Sequence, residues 1–310
     1  MTGPVAGSPV RGGTLALLGV GVLAVSLAAP LMASLAVPAL PIAFWRNALA
    51  SVAIAPVAGW RAAHPRPATP GAPAAGPRDL VLVGVAGLCL ASHFGFWVTS
   101  LGMTSVASST AIVSLQVIWV VGYDLARGAP VGRRVVLGVL LATAGAVVVG
   151  GVDLSISARA LAGDGLALVG SLGVAAYAVI GGRARQRLPT STYTLGCYGT
   201  AAAALLVAAV VAGQPLTGYA QDQWLKLLLL TATAQLLGHS VFNHLLATVS
   251  PMVVSLTILL EIPGASLIAA AWLGQVPEAT AFVGLAMILA GMALVVLAAP
   301  PSGEAEAVAA

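Results

Sequence analysis

Ten apolar runs, each close to the length of a bilayer crossing, follow one another along the chain. They cover 14–37, 41–60, 79–101, 104–124, 134–151, 164–182, 191–212, 224–246, 251–273 and 279–299. A helix needs roughly 20 apolar residues to cross about 30 Å of hydrocarbon at about 1.5 Å per residue. The runs are apolar on all sides and rich in Ala, Leu, Val and Gly. A membrane β-barrel would instead alternate apolar and polar residues with period two. Ten membrane helices are therefore expected. Composition agrees: only 7% of the 310 residues are charged and mean hydropathy is +1.03, against about 25% charged in a soluble domain. The stretch LMASLA (31–36) resembles a leader cleavage site, but the run containing it exceeds the roughly 7–15 residues of a leader's apolar region. It is read as a span.

The cations orient the helices. Arg11, Arg61, Arg66, Arg78, Arg127, Arg133, Arg134, Arg183, Arg185 and Arg187 fall before span one or between spans two and three, four and five, and six and seven. Placed on one side of the membrane, these loops are cytoplasmic by the positive-inside rule, and so are both termini. Arg159 and Lys226 remain on the other side, and Arg46 lies within span two. The Pro/Ala/Gly-rich stretch 61–79 reads as an inner loop, and 300–310 as a disordered cytoplasmic tail.

The two halves of the chain resemble each other at an offset of about 145–146 residues. SVASSTAIVSLQVIWVV (105–121) matches SPMVVSLTILLEIPGAS (250–266). GVLLATAGAVVV (138–149) matches GLAMILAGMALVV (284–296), pairing Gly138 with Gly284 and Gly145 with Gly291. Five spans per half is an odd number, so the second copy enters the membrane from the opposite side. Inverted repeats of this kind build transporters whose substrate site lies near the midplane, between the repeats. The expected organisation is a segment 1–13, a five-helix repeat 14–151, an extracytoplasmic connection 152–163, a second repeat 164–299 and the tail 300–310.

Glu261 is the one full charge between Met252 and Gln275. A carboxylate at the centre of a span costs at least about 2.5–3.5 kcal/mol. Facing a wet cavity, pairing with a cation or holding a proton each lowers that cost, and the last makes Glu261 a candidate proton carrier. The structural alternative is a bond to backbone freed by Pro263, which displaces the carbonyl of Leu259 four residues before it. Ser250, Thr257 and Glu261 share one helical face, as do Ser109, Gln116 and Tyr123 in span four, where Gln116 is the approximate repeat partner of Glu261. The serines read better as interhelical glue. Gln116 is open between glue and cavity.

His93 and Trp97 are four apart in span three, with Ser100 on the same face; His239 and Asn243 are four apart in span eight. Each pair is open between packing and cavity lining, and histidine exchanges protons near neutral pH. Arg46 either snorkels to the interface, pairs with an acid or attracts an anionic substrate. Tyr177 and Trp119 are candidate aromatic walls, with packing as the plainer reading. The glycine pairs point to close helix contact. Cys89 and Cys197 sit in apolar runs without CxxC spacing and read as inert buried thiols. No metal site, cofactor or nucleic-acid partner is called for.

These residues carry a family resemblance. The chain resembles the drug/metabolite transporter superfamily in its ten-helix EamA-type branch. AFWRNALA (43–50) is similar to that family's aromatic-Arg motif, SLGVAAYAVIGGRARQR (171–187) to the start of its second repeat, and 250–296 to its Ser-Pro, Glu-x-Pro and Gly-rich final block. Two departures stand out: Gln275 where the family has Glu, and DLARG (124–128) at the equivalent place in repeat one. The resemblance implies alternating-access transport of small metabolites, amino acids or drugs, and the chain is read as an exporter with lipid and a small-molecule substrate as its partners; a homodimer stays open. The alternatives are a channel or a non-transporting receptor subunit and, further off, an intramembrane enzyme. GSLG (170–173) has the wrong order for an intramembrane serine nucleophile, and neither HExxH nor a P-loop occurs.

Overall fold

Ten helical bodies make up the computed structural model, which describes residues 12–64, 76–151, 157–276 and 278–297. They are α1 (Gly12–Ala33), α2 (Ala39–Ala63), α3 (Pro77–Leu101), α4 (Val106–Ala126), α5 (Arg133–Gly151), α6 (Ala158–Ala184), α7 (Thr190–Val211), α8 (Gln221–Leu245), α9 (Pro251–Leu273) and α10 (Ala279–Leu297). No strand occurs among the described residues. All but α5 and α10 pass as membrane crossings by length and apolarity, and those two have 19 residues each. The expected tail 300–310, the segment 1–11 and most of the 61–79 loop lie outside the described residues.

Local chemistry sets the helix ends. Ser105, Ser157 and Ser250 cap α4, α6 and α9, each hydroxyl accepting a backbone N–H three residues on (3.1, 3.1 and 3.3 Å). These bonds satisfy donors that a helix start otherwise leaves open. The cap at Ser157 corrects the connection expected at 152–163, because helix begins at Ala158 and takes in the second half of that segment. At α3 the Asp79 carboxylate accepts the Gly76 N–H (2.9 Å). Gly274 ends α9 in the left-handed region at φ +67°.

Four spans read as continuous are interrupted. In α1 the helix breaks at Leu27; Pro30 lacks the N–H that would bond Ser26 O, and its ring crowds that carbonyl. In α9 it breaks at Leu259–Leu260, where Pro263 acts on Leu259 O in the same way. Here the backbone tightens to three-residue bonds, Leu259 to Leu256, Leu260 to Thr257 and Ile262 to Leu259 (3.1, 3.1 and 3.2 Å). Span α4 breaks at Ser114–Leu115 with the same pattern, Leu115 to Ile112 and Ile118 to Leu115 (3.1 and 2.9 Å). No proline accounts for this one. In α8, residues Thr231–His239 widen into a π-helical stretch.

Glycines set the closest helix approaches. A Cβ on Gly138 would meet Gly291 O at 2.6 Å, and one on Gly145 would meet Gly284 O at 2.5 Å. The pairing order is reversed along the two helices, so α5 and α10 pack antiparallel. The N-terminal half of α4 lies against the C-terminal half of α9, and the C-terminal half of α4 against the N-terminal half of α9, so this pair is antiparallel too. Gly170 and Gly173 bring α6 onto the backbone of α3 at His93 (3.2 and 2.9 Å from an added Cβ). Large apolar side chains such as Leu23, Val52, Val207 and Phe282 cover the outside, as lipid-facing surface requires.

Candidate functional site

The two broken spans meet at mid-height. Gln116 opens the second half of α4, ten residues from either end of that span, and Glu261 opens the second half of α9. Ten residues of helix put each about 15 Å deep. Between them lies a cavity of about 20 Å³, room for one water molecule or a head group of that size. Its polar lining is His93, Trp97, Ser114, Gln116, His239 and Glu261; Val25, Val113, Val174 and Ile258 complete the wall. Each lining element reaches the cavity through a local feature: the breaks in α1, α4 and α9, the wide turn of α8, and the glycine-mediated approach of α6 to α3.

The hydrogen bonds of this lining are incomplete. Gln116 Oε1, Glu261 Oε1 and Trp97 Nε1 are buried without a partner. Thus the expected structural bond from Glu261 to freed backbone is not made by that oxygen. His93 donates through Nδ1 to Gly170 O (3.1 Å), since a carbonyl can only accept; the neutral ring then offers Nε2 as an acceptor. The His93 ring stacks on Trp97 at 5.3 Å and meets the His239 ring at 6.3 Å.

Arg46 stands just outside this lining. It is 0% exposed, which overturns the snorkelling alternative. Its guanidinium lies 4.0 Å over the Phe94 ring, and Phe94 meets the cavity-lining His239 at 5.3 Å. Arg46 Nε donates to Gln235 Oε1 (2.7 Å), Nη1 approaches Met32 Sδ (3.3 Å), and Nη2 has no partner. Gln235 in turn donates to Asn47 Oδ1 (3.1 Å). No carboxylate lies within ion-pair distance of Arg46 among the described residues, where the one ion pair is Arg187 with Asp79 at 3.5 Å. A direct charge pair with Glu261 is therefore not formed in this conformation.

The other expected lining residues lie elsewhere. Tyr177 donates to Asn243 Oδ1 (2.6 Å), and Arg185 Nε donates to Asn243 O (2.8 Å). These form a second buried polar cluster, tied to Thr190 and Thr194. Trp119 is 39% exposed and donates to Ser171 Oγ (2.8 Å). Thr257 bonds its own helix at Val253 O (2.8 Å). Ser250 serves as a cap, and Ser109 meets Ser100 Oγ at 2.5 Å. The expected polar stripes therefore dissolve, because a break of two residues ends the 3.6 periodicity that defines a common face. Ser114 and Gln235 were not anticipated. Ser114 shows itself only once the break is known, and Gln235 sits in a π-helical stretch that no sequence pattern announced. Gln275, where the resembled family has Glu, accepts the Val106 N–H at 3.2 Å and so ties the start of α4 to the end of α9. Cys89 is half-buried and Cys197 buried, both free.

Comparison with known proteins follows this geometry. No curated protein matches the chain significantly. A solved structure, described only as a crystal structure of a protein, superposes with a TM-score of 0.71 at 18% identity, over 93% of this chain and 98% of that one. At that identity the likeness concerns the fold alone. Residues 161–297 match the model of the EamA-like transporter family. Over that stretch, the second half of the chain, the sequence is similar to this family of membrane transporters.

Proposed function

We propose that the chain is a secondary transporter working by alternating access, with two inverted five-helix halves (14–151 and 164–299) around the central cavity. In this reading both termini are cytoplasmic, the membrane is the cell membrane, the direction is export, and Glu261 carries the coupling proton. The carrying observation is a small mid-height cavity bounded by two antiparallel broken spans, with a carboxylate oxygen lacking a partner at one break and an amide oxygen lacking one at the other. The breaks at Ser114–Leu115 and Leu259–Leu260 keep the 145-residue offset of the sequence repeat, and the glycine crossing of α5 with α10 supports the same two-fold relation. Discontinuous helices whose N-terminal ends point into a midplane site are a recurrent transporter device.

Hydrogen bonds across both ends of the bundle support an occluded state. At one end, Gln223 and Gln214 accept the N–H groups of Ala36 and Leu40 (2.8 and 3.2 Å), and Trp45 donates to Leu216 O (2.7 Å). The opposite end is held by the Arg185, Asn243 and Tyr177 cluster. A channel would need a continuous wet path, wider than a cavity of about 20 Å³ provides.

The test is pH-gradient-driven efflux from vesicles. Glu261→Gln keeps the shape and removes the titrating group, so gradient-driven transport falls at least about ten-fold, the effect of losing roughly 1.4 kcal/mol of coupling or more. Full gradient-driven transport by the variant ends the proton-carrier reading.

A further inference from the structure

We propose that the membrane-boundary end of the seam between α4 and α6 seats the phosphodiester of an anionic phospholipid. The inference rests on the membrane setting and not on the central cavity. Two arginines meet one tyrosine there. Arg183 Nη2, from the end of α6, donates to Tyr123 Oη near the end of α4. The Arg183 and Arg127 guanidinium carbons lie 5.5 and 5.6 Å from the centroid of the Tyr123 ring, within reach of cation–π attraction. Both arginines are exposed and Tyr123 is half-buried. Arginine only donates, so the phenol oxygen accepts from Arg183 and keeps its own hydrogen to give. All three side chains thus offer N–H or O–H, and guanidinium forks match phosphate oxygens in pairs.

Two cations gathered at one ring repel each other, and neither has a carboxylate within ion-pair distance among the described residues. Asp124, half-buried and next in sequence to Tyr123, acts on Arg127 from farther off. Counted as ionised, it leaves one positive charge uncancelled, which a single phosphodiester cancels. Arg133 and Arg134 open α5 across a short connection from Arg127 and add to the positive field. Deeper along the seam the surface is aromatic and apolar. Trp119, 39% exposed, lies one turn before Tyr123 on the same face of α4 and donates to Ser171 on α6 (2.8 Å). Leu172, 46% exposed, shares a face of α6 with Arg183 about three turns away. An acyl chain along this strip sets its phosphate at the arginines, the level at which aromatic and basic side chains meet head groups in membrane proteins. A zwitterionic lipid carries the same phosphate but brings its own cation to the arginines.

The experiment uses the full chain in mixed micelles with equal amounts of phosphatidylglycerol and phosphatidylcholine, and reads by native mass spectrometry which lipid stays bound. Phosphatidylglycerol is retained in preference. Arg183→Gln and Arg127→Gln each lower that preference about five-fold, the effect of removing one arginine from an anionic lipid. Arg183→Lys keeps the charge but not the fork and lowers it as well. The double variant Arg133→Gln, Arg134→Gln removes more charge from the neighbouring start of α5 and lowers it less. Equal retention of the two lipids overturns the seat. So does an equal or larger loss in the α5 double variant, or an unchanged preference in Arg183→Lys, since either makes the selectivity a property of the diffuse positive field. Inorganic phosphate separates a free anion from a lipid. Added at constant ionic strength to the protein in phosphatidylcholine nanodiscs, it leaves the melting midpoint unchanged. A saturable rise with phosphate, together with equal retention of the two lipids, assigns the arginines to a soluble phosphate and ends the lipid proposal.

Discussion

Arg46 shows how much a single residue in this core depends on its surroundings. Its planar head bonds Gln235 edge-on while lying flat over Phe94, two contacts that a lysine ammonium cannot make together. Arg46→Lys therefore keeps the charge but strands the Gln235 acceptor, at a cost on the order of 1–3 kcal/mol, read as a lower melting midpoint of the purified protein. An unchanged midpoint would mean that the bond to Gln235 contributes nothing. The sequence offered an isolated arginine in an apolar run and, by its distance from the span end, a fair case for snorkelling. Its burial depends on Gln235, 189 residues away, and no local pattern contains that contact. Glu261 was more legible. A lone acid in a long apolar run has few inexpensive positions, and depth alone argued for an interior place. Gln116 was within reach only through the repeat, which paired it with Glu261. Tyr177 and Asn243 were each marked as cavity residues for sound reasons of type and spacing. They satisfy each other instead, as buried polar groups generally do.

At the scale of elements, the ten runs read from apolarity correspond to the ten helical bodies, with ends displaced by a few residues. The largest displacement is the start of α6, where a serine cap was not weighed against the loop reading. The interruptions were less legible. Pro30 and Pro263 are visible in the sequence and each explains its break, yet Pro56 sits inside α2 without ending it. A proline therefore marks a weak point, and packing decides whether the helix opens there. The break in α4 has no such mark. Glycine contacts were legible as pairs: Gly138 with Gly291 and Gly145 with Gly284 lie at carbonyl-touching distance, although the sequence matched them by repeat position, Gly138 with Gly284 and Gly145 with Gly291. Antiparallel packing exchanges the partners. Because backbone stands in the way, Gly145→Val cannot be absorbed by a side-chain shift. It is expected to abolish most of the folded yield in a detergent-extraction and gel-filtration assay, whereas Gly122→Val, with nothing within 4 Å, leaves the yield unchanged. Equal yields would show that α5 and α10 need not approach so closely.

At the scale of the molecule, lipid decides the architecture. Apolar side chains face outward, backbone is satisfied within helices, and polar groups deep in the bundle gather in several places: the central cavity, the Arg46–Gln235–Asn47 network beside it, the Tyr177–Asn243–Arg185 cluster, and the Ser108–Asp164 and Ser100–Ser109 contacts. The all-helical class and the ten helices followed from length and composition, with eight of them long and apolar enough to cross a membrane. The cavity lies between α4 and α9, the spans that carry the matching segments of the sequence repeat. Its chemistry did not follow, since that depends on which face each half-helix turns inward after its break. The central claim is that this cavity is reached from one side of the membrane and then the other. Ser114 lines it and is 1% exposed. With Cys89 and Cys197 replaced by serine, Ser114→Cys can be challenged with a membrane-impermeant thiol reagent in right-side-out and in inside-out vesicles. Alternating access predicts labelling from both sides; labelling from one side only, or from neither, contradicts it.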